Sequence, residues 1–288
     1  MPQPLFVVDA FTDRPFTGNP AAIAPLDGSA DEQWMQSLAA EMYLSETAFV
    51  QPRGDGTFDL RWFTPVVEVN LCGHATLATA HLLWELGRVE SDQPIRFQTR
   101  SGELICKRAE GWIEMDFPAD AVQPITGRVD ELIDALGVQP TGVHEADWTY
   151  LVELGSADEV RGLLPDFSKL RATGHGAAIV TAPGDGGFDF VSRFFAPAFG
   201  IDEDPVTGSA HCCLAVHWSH RLDRDGQTLL AQQASRRGTA ADSAAQAANL
   251  RFDGAPGGPR AQRRHLDAHC GCSAPVAAGR TRVDEAPP

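Results

Sequence analysis

The chain has 288 residues, 43% of them apolar, and a formal net charge of −16. That length holds one large domain or two of ordinary size. The acidic balance argues against nucleic acid or an anionic lipid surface as a partner, and leaves room for a small anionic substrate held by local donors. No apolar run approaches the roughly 18 residues of a membrane span. The opening MPQPLFVVDAF lacks the cationic-then-apolar form of a signal peptide. Six cysteines, scattered except for the neighbours Cys212 and Cys213, make no disulfide framework. The expected compartment is the reducing cytoplasm.

In chain order, residues 5–8 read as a buried strand, and Asn19-Pro20 as a turn signal. Residues 31–42 read as a helix with Trp34, Leu38 and Met42 on one face. Residues 47–50 and 58–63 read as strands, the second through the alternation of Phe58, Leu60 and Trp62. A helix is expected over 73–86, with Leu77, Ala80 and Trp84 in a stripe and Gly87 as its C-cap. Short β runs follow at 95–99, 103–107 and 112–117, broken by Ser101-Gly102 and Glu110-Gly111. Pro118 and Pro124 then mark a boundary, giving an N-terminal half over 1–122 and a C-terminal half over 123–238. In the second half, 129–136 reads as a helix closed by Gly137. Residues 150–154, 178–181 and 188–195 read as strands, and 209–222 as a helix.

The halves share letters as well as style. Arg61-Trp-Phe-Thr-Pro65 leads to Gly73-His74-Ala75, and Arg193-Phe-Phe-Ala-Pro197 leads to Gly208-Ser209-Ala210. Two such matches in the same order point to a duplicated α+β fold with two equivalent helix N-termini facing one cleft. From Thr239 onward the chain turns rich in Ala, Gly, Pro and Arg, with few large apolar residues: Leu250, Phe252, Leu266, Val276 and Val283. Neither strand alternation nor helical periodicity survives there, so disorder or loose attachment is expected over 239–288. Out-of-frame reading of a GC-rich gene produces such a composition, and a frameshift that replaced the closing strands is the expectation.

Several residue sets could carry chemistry. Gly73-His74-Ala75-Thr76 puts a glycine and a histidine where a strand gives way to a helix. Backbone N–H groups and the helix dipole favour an anion there, and a histidine can exchange protons near neutral pH. A capping loop with a satisfied histidine is the plainer reading. Asp202-Glu-Asp-Pro-Val-Thr-Gly-Ser-Ala210 opens the second helix. Thr207 or Ser209 is an ordinary N-cap there, but three acids with a glycine suit a ligand loop better. Glu46, beside Ala48 and Phe49, is a carboxylate whose burial would raise its pKa into a useful acid/base range. Its plainer reading is a charged strand end. Cys72 sits where a helix N-terminus lowers a thiol pKa, and otherwise reads as a small buried residue. His265, His269, Cys270 and Cys272 have metal-ligand types, but their spacing fits no standard zinc pattern. No dinucleotide fingerprint, Walker loop or nucleophile elbow is present.

Taken together, six motifs resemble the phenazine-biosynthesis PhzF-like isomerases over about positions 4 to 238. They are Phe11-Thr-x-x-Pro-Phe-x-Gly-Asn-Pro20, Leu44-Ser-Glu-Thr-Ala-Phe49, Arg61-Trp-Phe-Thr-Pro-x-x-Glu-Val69, Leu71-Cys-Gly-His-Ala-Thr76, Thr99-x-Ser-Gly-Glu-Leu104 and Glu203-Asp-Pro-x-Thr-Gly-Ser-Ala210. The resemblance implies the diaminopimelate epimerase-type fold: two similar α/β halves, each a curved, mostly antiparallel sheet around a central helix, with the active site in the cleft between them. It implies proton transfer on a small carboxylated metabolite without cofactor or metal, with trans-2,3-dihydro-3-hydroxyanthranilate as the type substrate, and a homodimer. By motif, Glu46 is the acid/base. His74 and Asp204 orient the substrate and relay protons. Gly73, Gly208 and Ser209 present donors to a carboxylate, and Asn19 and Ser45 line the substrate site. The chain departs from the resemblance at Asn70 and, more seriously, after Gln233-Ala-Ser-Arg-Arg-Gly238. Two other readings stand beside it. One is an amino-acid racemase or epimerase on the same fold, which needs two opposed cysteine bases where the loop at 207–210 offers none. The other is a non-catalytic small-ligand binder.

Overall fold

The computed structural model describes residues 3–12, 18–109, 112–125, 129–146, 148–225, 227–236, 247–252 and 265–270, with backbone alone at 109, 116, 118 and in the last two stretches. The chain divides into two compact units, one reaching Met115 and the other beginning at Asp116.

The first unit contains β1 (Phe6–Ala10), β2 (Asn19–Pro25), α1 (Glu32–Met42), β3 (Glu46–Pro52), β4 (Phe58–Phe63), β5 (Glu68–Val69), α2 (Gly73–Glu85), β6 (Ile95–Thr99) and β7 (Gly102–Ala109). β8 (Trp112–Pro118) carries the chain across the division. β1 pairs antiparallel with β2, β2 parallel with β3, and β3 antiparallel with β4. β4 also takes β5 antiparallel and β6 parallel, and β6 takes β7 antiparallel.

The second unit runs β9 (Gln123–Pro124), α3 (Asp130–Leu136), β10 (Gly142–Ala146), β11 (Thr149–Glu153), α4 (Ala157–Gly162), α5 (Phe167–Arg171), β12 (Ala178–Pro183) and β13 (Phe190–Ala196). After a short 3-10 turn come β14 (Ile201–Asp204), α6 (Gly208–Arg221), β15 (Thr228–Gln233), β16 (Ala247–Phe252) and β17 (His265–Cys270). The pairings repeat those of the first unit in the same order. β10 and β11 are antiparallel, β11 and β12 parallel, and β12 and β13 antiparallel. β13 takes β14 antiparallel and β15 parallel, and β15 takes β16 antiparallel. The duplication read from the Arg-aromatic-Phe-x-Pro letters is therefore a duplication of topology.

Each unit buries one long helix. In α2 every residue but His81 and Glu85 is buried, and α6 is buried from Ala210 to Ser219. A helix buried all round belongs to a core, and α2 packs on β1, β2 and β3. In α6, Trp218 stacks on Phe190 with ring centroids 5.7 Å apart and donates its indole N–H to Thr181 Oγ1 at 2.9 Å. The peripheral α1 follows different rules. Asp31 caps it by accepting from Trp34 N at 3.0 Å, and Tyr43 ends it in the left-handed region. Its buried face is Met35 and Ala39, whereas Trp34 is 40% exposed. The expected stripe of Trp34, Leu38 and Met42 is thus displaced by about one position. Trp34 still meets Phe49 edge-on at 5.9 Å, because an aromatic ring reaches the core from a helix flank.

Two further differences concern strands. Asn19-Pro20 is not a turn but the start of β2, with Asn19 fully buried opposite Ala10. Proline is accepted at the beginning of a strand, where its missing N–H costs least. No strand was expected after Thr239, yet Ala247–Phe252 and His265–Cys270 are strands, β16 on β15 and β17 on β16. Ladder pairing draws on backbone groups that every non-proline residue has. Both stretches lack Gly and Pro and hold Leu250, Phe252 and Leu266. The rest of 239–288 lies outside the described residues. Among the described residues no helix is long and apolar enough to cross a membrane.

Candidate active site

The site in the first unit is assembled by a strand start and a helix start. Cys72 is extended (φ −145°, ψ 114°) and α2 begins at Gly73, with no side-chain cap and no acid in the first turn. Elsewhere Asp31, Ser156 and Asp166 cap α1, α4 and α5 through their side chains. α2 therefore keeps first-turn N–H groups and the positive end of its dipole for another acceptor. His74, 2% exposed, lies in that turn. Its Nε2 stands 3.5 Å from Glu46 Oε2, and its Nδ1 3.5 Å from Cys72 Sγ.

Burial alone pushes the His74 pKa down to about 3, so the ring is neutral at neutral pH. A thiol S–H offered to Nδ1 leaves the ring proton on Nε2, facing the carboxylate. Glu46 opens β3, opposite Ala21 of the parallel β2, with a side chain 13% exposed. Ser45 precedes it, half-buried. Asn19, also on β2, is buried two residues before Ala21. Structure thus brings Glu46 and His74, singled out separately in the sequence, to one place, and adds Cys72 as the neighbour of the imidazole. The donor atoms of these three residues lie within 4.8 Å of one another, close enough for a cation.

In the second unit Ser209 stands at the helix position that His74 holds in the first. Thr207 occupies the N-cap of α6 but does not cap it. Its hydroxyl donates to Asp204 Oδ2 in a charge-assisted hydrogen bond, and its oxygen accepts from Gln233 Nε2 rather than from a first-turn N–H. Gln233 of β15 locks this loop. Its Nε2 donates to Asp204 O at 2.9 Å and to Thr207 Oγ1 at 3.1 Å, and its Oε1 accepts from Thr207 N at 2.8 Å. Gly208 and Ser209 lie half-buried in the first turn, which again has no acid.

The three acids of the loop part company. Glu203 accepts from Arg193 Nε at 2.6 Å, Asp202 lies 3.6 Å from Arg171, and Asp204 stays buried at the helix start. His211 Nδ1 is 2.7 Å from Thr207 O, and burial lowers its pKa. The Cys212 thiol is buried and pushed up to about 12, and Cys213 is raised as well. Neither supplies a thiolate base. Gln233 was not singled out as a site residue, though a glutamine on the buried face of β15 after Leu229 and Ala231 was a legible sign of a polar clamp. Of the tail's metal-type residues, His265, His269 and Cys270 fall on β17, described as backbone alone, and Cys272 lies outside the described residues.

Two buried helices with uncapped N-termini, each framed by the same strand order, define a two-fold repeated α/β fold. The sequence pattern of the PhzC-PhzF family, phenazine biosynthesis-like proteins, matches residues 8–248. An uncharacterised isomerase of Halalkalibacterium halodurans is 49% identical over 239 residues, covering 83% of this chain and 89% of that protein. The crystal structure of a PhzF-family phenazine biosynthesis protein from Enterococcus faecalis superposes with a TM-score of 0.78 at 37% identity, over 93% of this chain and 95% of that one. A probable proline racemase from Agrobacterium radiobacter, at 9% identity and a TM-score of 0.62 over 93% of this chain and 88% of that one, shares the fold alone. The chain belongs to the PhzC-PhzF family and stands among its isomerases.

Proposed function

We propose that this isomerase moves a proton on a small carbon acid that carries a carboxylate, with Glu46 as the acid/base and without a cofactor, and that trans-2,3-dihydro-3-hydroxyanthranilate is its substrate. The observation that carries the reading is the 3.5 Å approach of Glu46 Oε2 to His74 Nε2 at the uncapped start of α2. A carboxylate is the right base for a carbon acid when it is partly desolvated and has a neutral donor beside it. Neutral His74 can offer Nε2–H to the carboxylate form of Glu46 and so hold the base in place without carrying charge itself. The first-turn N–H groups around Gly73 suit the substrate carboxylate. In the second unit, the first-turn groups at Gly208 and Ser209 beside Asp204 form a second donor-rich helix start with the same capacity. A racemase with paired thiol bases draws no support from Cys212, whose thiol stays protonated.

The test is proton NMR in D2O, following deuterium uptake by the dihydroanthranilate with wild type and Glu46→Gln. Loss of one general acid/base lowers the rate by about 100- to 10,000-fold. Uptake by wild type that vanishes in the variant is the expected result. No uptake by folded wild type rejects this substrate. Uptake that survives in Glu46→Gln rejects Glu46 as the acid/base. Ligand binding without exchange on any carbon acid would leave a binder rather than an enzyme.

A further inference from the structure

A second cluster of titratable groups lies in the unit that begins at Asp116, and the proton chemistry above makes no use of it. β10 and β11 pair with Gly142 opposite Glu153 and His144 opposite Leu151. His144 and Glu153 therefore project from one face of the ribbon at diagonal positions. His217, from the C-terminal half of α6, meets them there. The His144 and His217 rings lie edge to face at 5.0 Å, and the donor atoms of all three residues fall within 4.8 Å of one another. His217 Nε2 is buried, 3.3 Å from Glu153 Oε2, with no hydrogen-bond partner among the described residues. Arg221, one turn further along α6, donates to Glu153 Oε1 at 3.2 and 3.3 Å. It holds one carboxylate oxygen and leaves the other turned to the imidazole.

A plain His–Glu ion pair would need a charged imidazole. Burial lowers the pKa of both histidines; His144 adds to this for His217 and Arg221 for both, outweighing the opposite pull of Glu153. The cluster sets two imidazoles around one carboxylate, and the buried His217 Nε2 has no hydrogen-bond partner among the described residues. We infer from this juxtaposition a divalent-cation site of the nitrogen/oxygen kind that suits Zn2+, with His144, Glu153 and His217 as protein ligands and solvent in the fourth position. His144 is the half-buried member, which gives the ion and its water a way in. Arg221 plays the part of an outer partner that orients the ligating carboxylate. The ion would tie β10, β11 and α6 together, so its role is to brace the second unit. The inference stands on these contacts and not on the proposed reaction.

The test uses the full chain, stripped with a chelator and dialysed, then titrated with Zn2+ and Co2+. Zn2+ at a hundredfold excess over its Kd should raise Tm by roughly 5 °C. Co2+ should give visible d–d absorption without a thiolate charge-transfer band. His217→Gln and His144→Gln should each weaken binding by at least about 10- to 100-fold. Gly142→Ala reaches the site without removing a ligand: a Cβ there would stand 3.3 Å from His144 Nε2 and 3.7 Å from Glu153 Oε2. It should weaken binding too, and it guards against a His217 variant that fails to fold. No Tm shift with Zn2+ overturns the site. So does a shift that survives both His144→Gln and Gly142→Ala, and so does a thiolate band, which would place the metal at Cys72.

Discussion

Arg61 and Arg193 hold equivalent places in the two units, each on a strand that ends in an aromatic residue, Phe, a small residue and Pro. Each donates Nε to a glutamate on the next short strand, at 2.7 Å to Glu68 and 2.6 Å to Glu203. Each guanidinium also lies over the phenylalanine two residues on, Phe63 at 5.1 Å and Phe195 at 4.9 Å. The surroundings differ. Arg61 is 30% exposed and shares Glu32 as a second partner. Arg193 is 1% exposed and also donates to the carbonyls of Val160 and Leu163 at 3.2 and 2.7 Å. The helix starts diverge in the same spirit. One sets a neutral imidazole against a carboxylate, and the other ties a carboxylate into a threonine and a glutamine. A repeated backbone therefore fixes where a side chain sits, while its neighbours decide whether it reacts, binds or braces.

Four experiments break or sharpen that contrast. The largest effect should be on chemistry. Glu46→Gln should slow proton exchange by about 100- to 10,000-fold, whereas Ser209→Ala should act mainly on KM. Equal losses of kcat at both positions would erase the functional difference between the two helix starts. Next comes the arginine pair, read by urea unfolding. Arg193→Met strands the half-buried Glu203 and the buried Val160 and Leu163 carbonyls and should destabilise by about 3–5 kcal/mol. Arg61→Met should lose less, about 1 kcal/mol, because Glu68 keeps Arg100 at 2.6 Å. Similar losses would mean that burial does not separate the pair.

Gln233→Leu should cost about 1–3 kcal/mol, since it leaves Thr207 N and Asp204 O without their side-chain partner. An unchanged midpoint would show the clamp to be incidental. The smallest effect per step is on acid stability. His74 is neutral in the folded protein down to about pH 3, while the unfolded chain takes its proton near 6.5. Stability is indifferent to this group above about pH 6.5 and falls as pH drops from there toward 3, by about 1.4 kcal/mol per pH unit. His211 shares the direction. Calorimetry of His74→Asn between pH 6 and 4 should show a shallower slope than wild type, and parallel slopes would contradict a neutral buried His74.

Much of the frame was readable in the letters, for reasons that can be named. α2 was placed by Gly73 and Gly87, and β4 by the alternation of Phe58, Leu60 and Trp62. α3 was closed by Gly137, which takes φ +67°. These signals are local: glycine where the chain turns left-handed, and a period of two where one face is buried. β5 and β14 went unread because two and four residues are too few to show a period of two, and β15 because its parallel partner β13 lies about forty residues back. β16 and β17 were missed because backbone pairing needs no apolar pattern. In the candidate site, Glu46 and His74 were singled out by type and motif, and Cys72 is buried as expected, but its contact with His74 was not legible, since it arises only when the helix begins.

By itself the sequence determined the repeat, the two glycine-led helix starts and the set of residues able to handle a proton. Each of these is written in residue type and short spacing. Tertiary structure alone decided which of those residues meet. It set Glu46 against His74 across a parallel strand and a helix, drew Thr207 from its cap to Asp204, buried Arg193 where Arg61 stays half in water, and gathered His144, Glu153 and His217 from two strands and a helix. These choices depend on burial and on contacts between positions far apart in the chain, where desolvation fixes protonation and the strength of each pair.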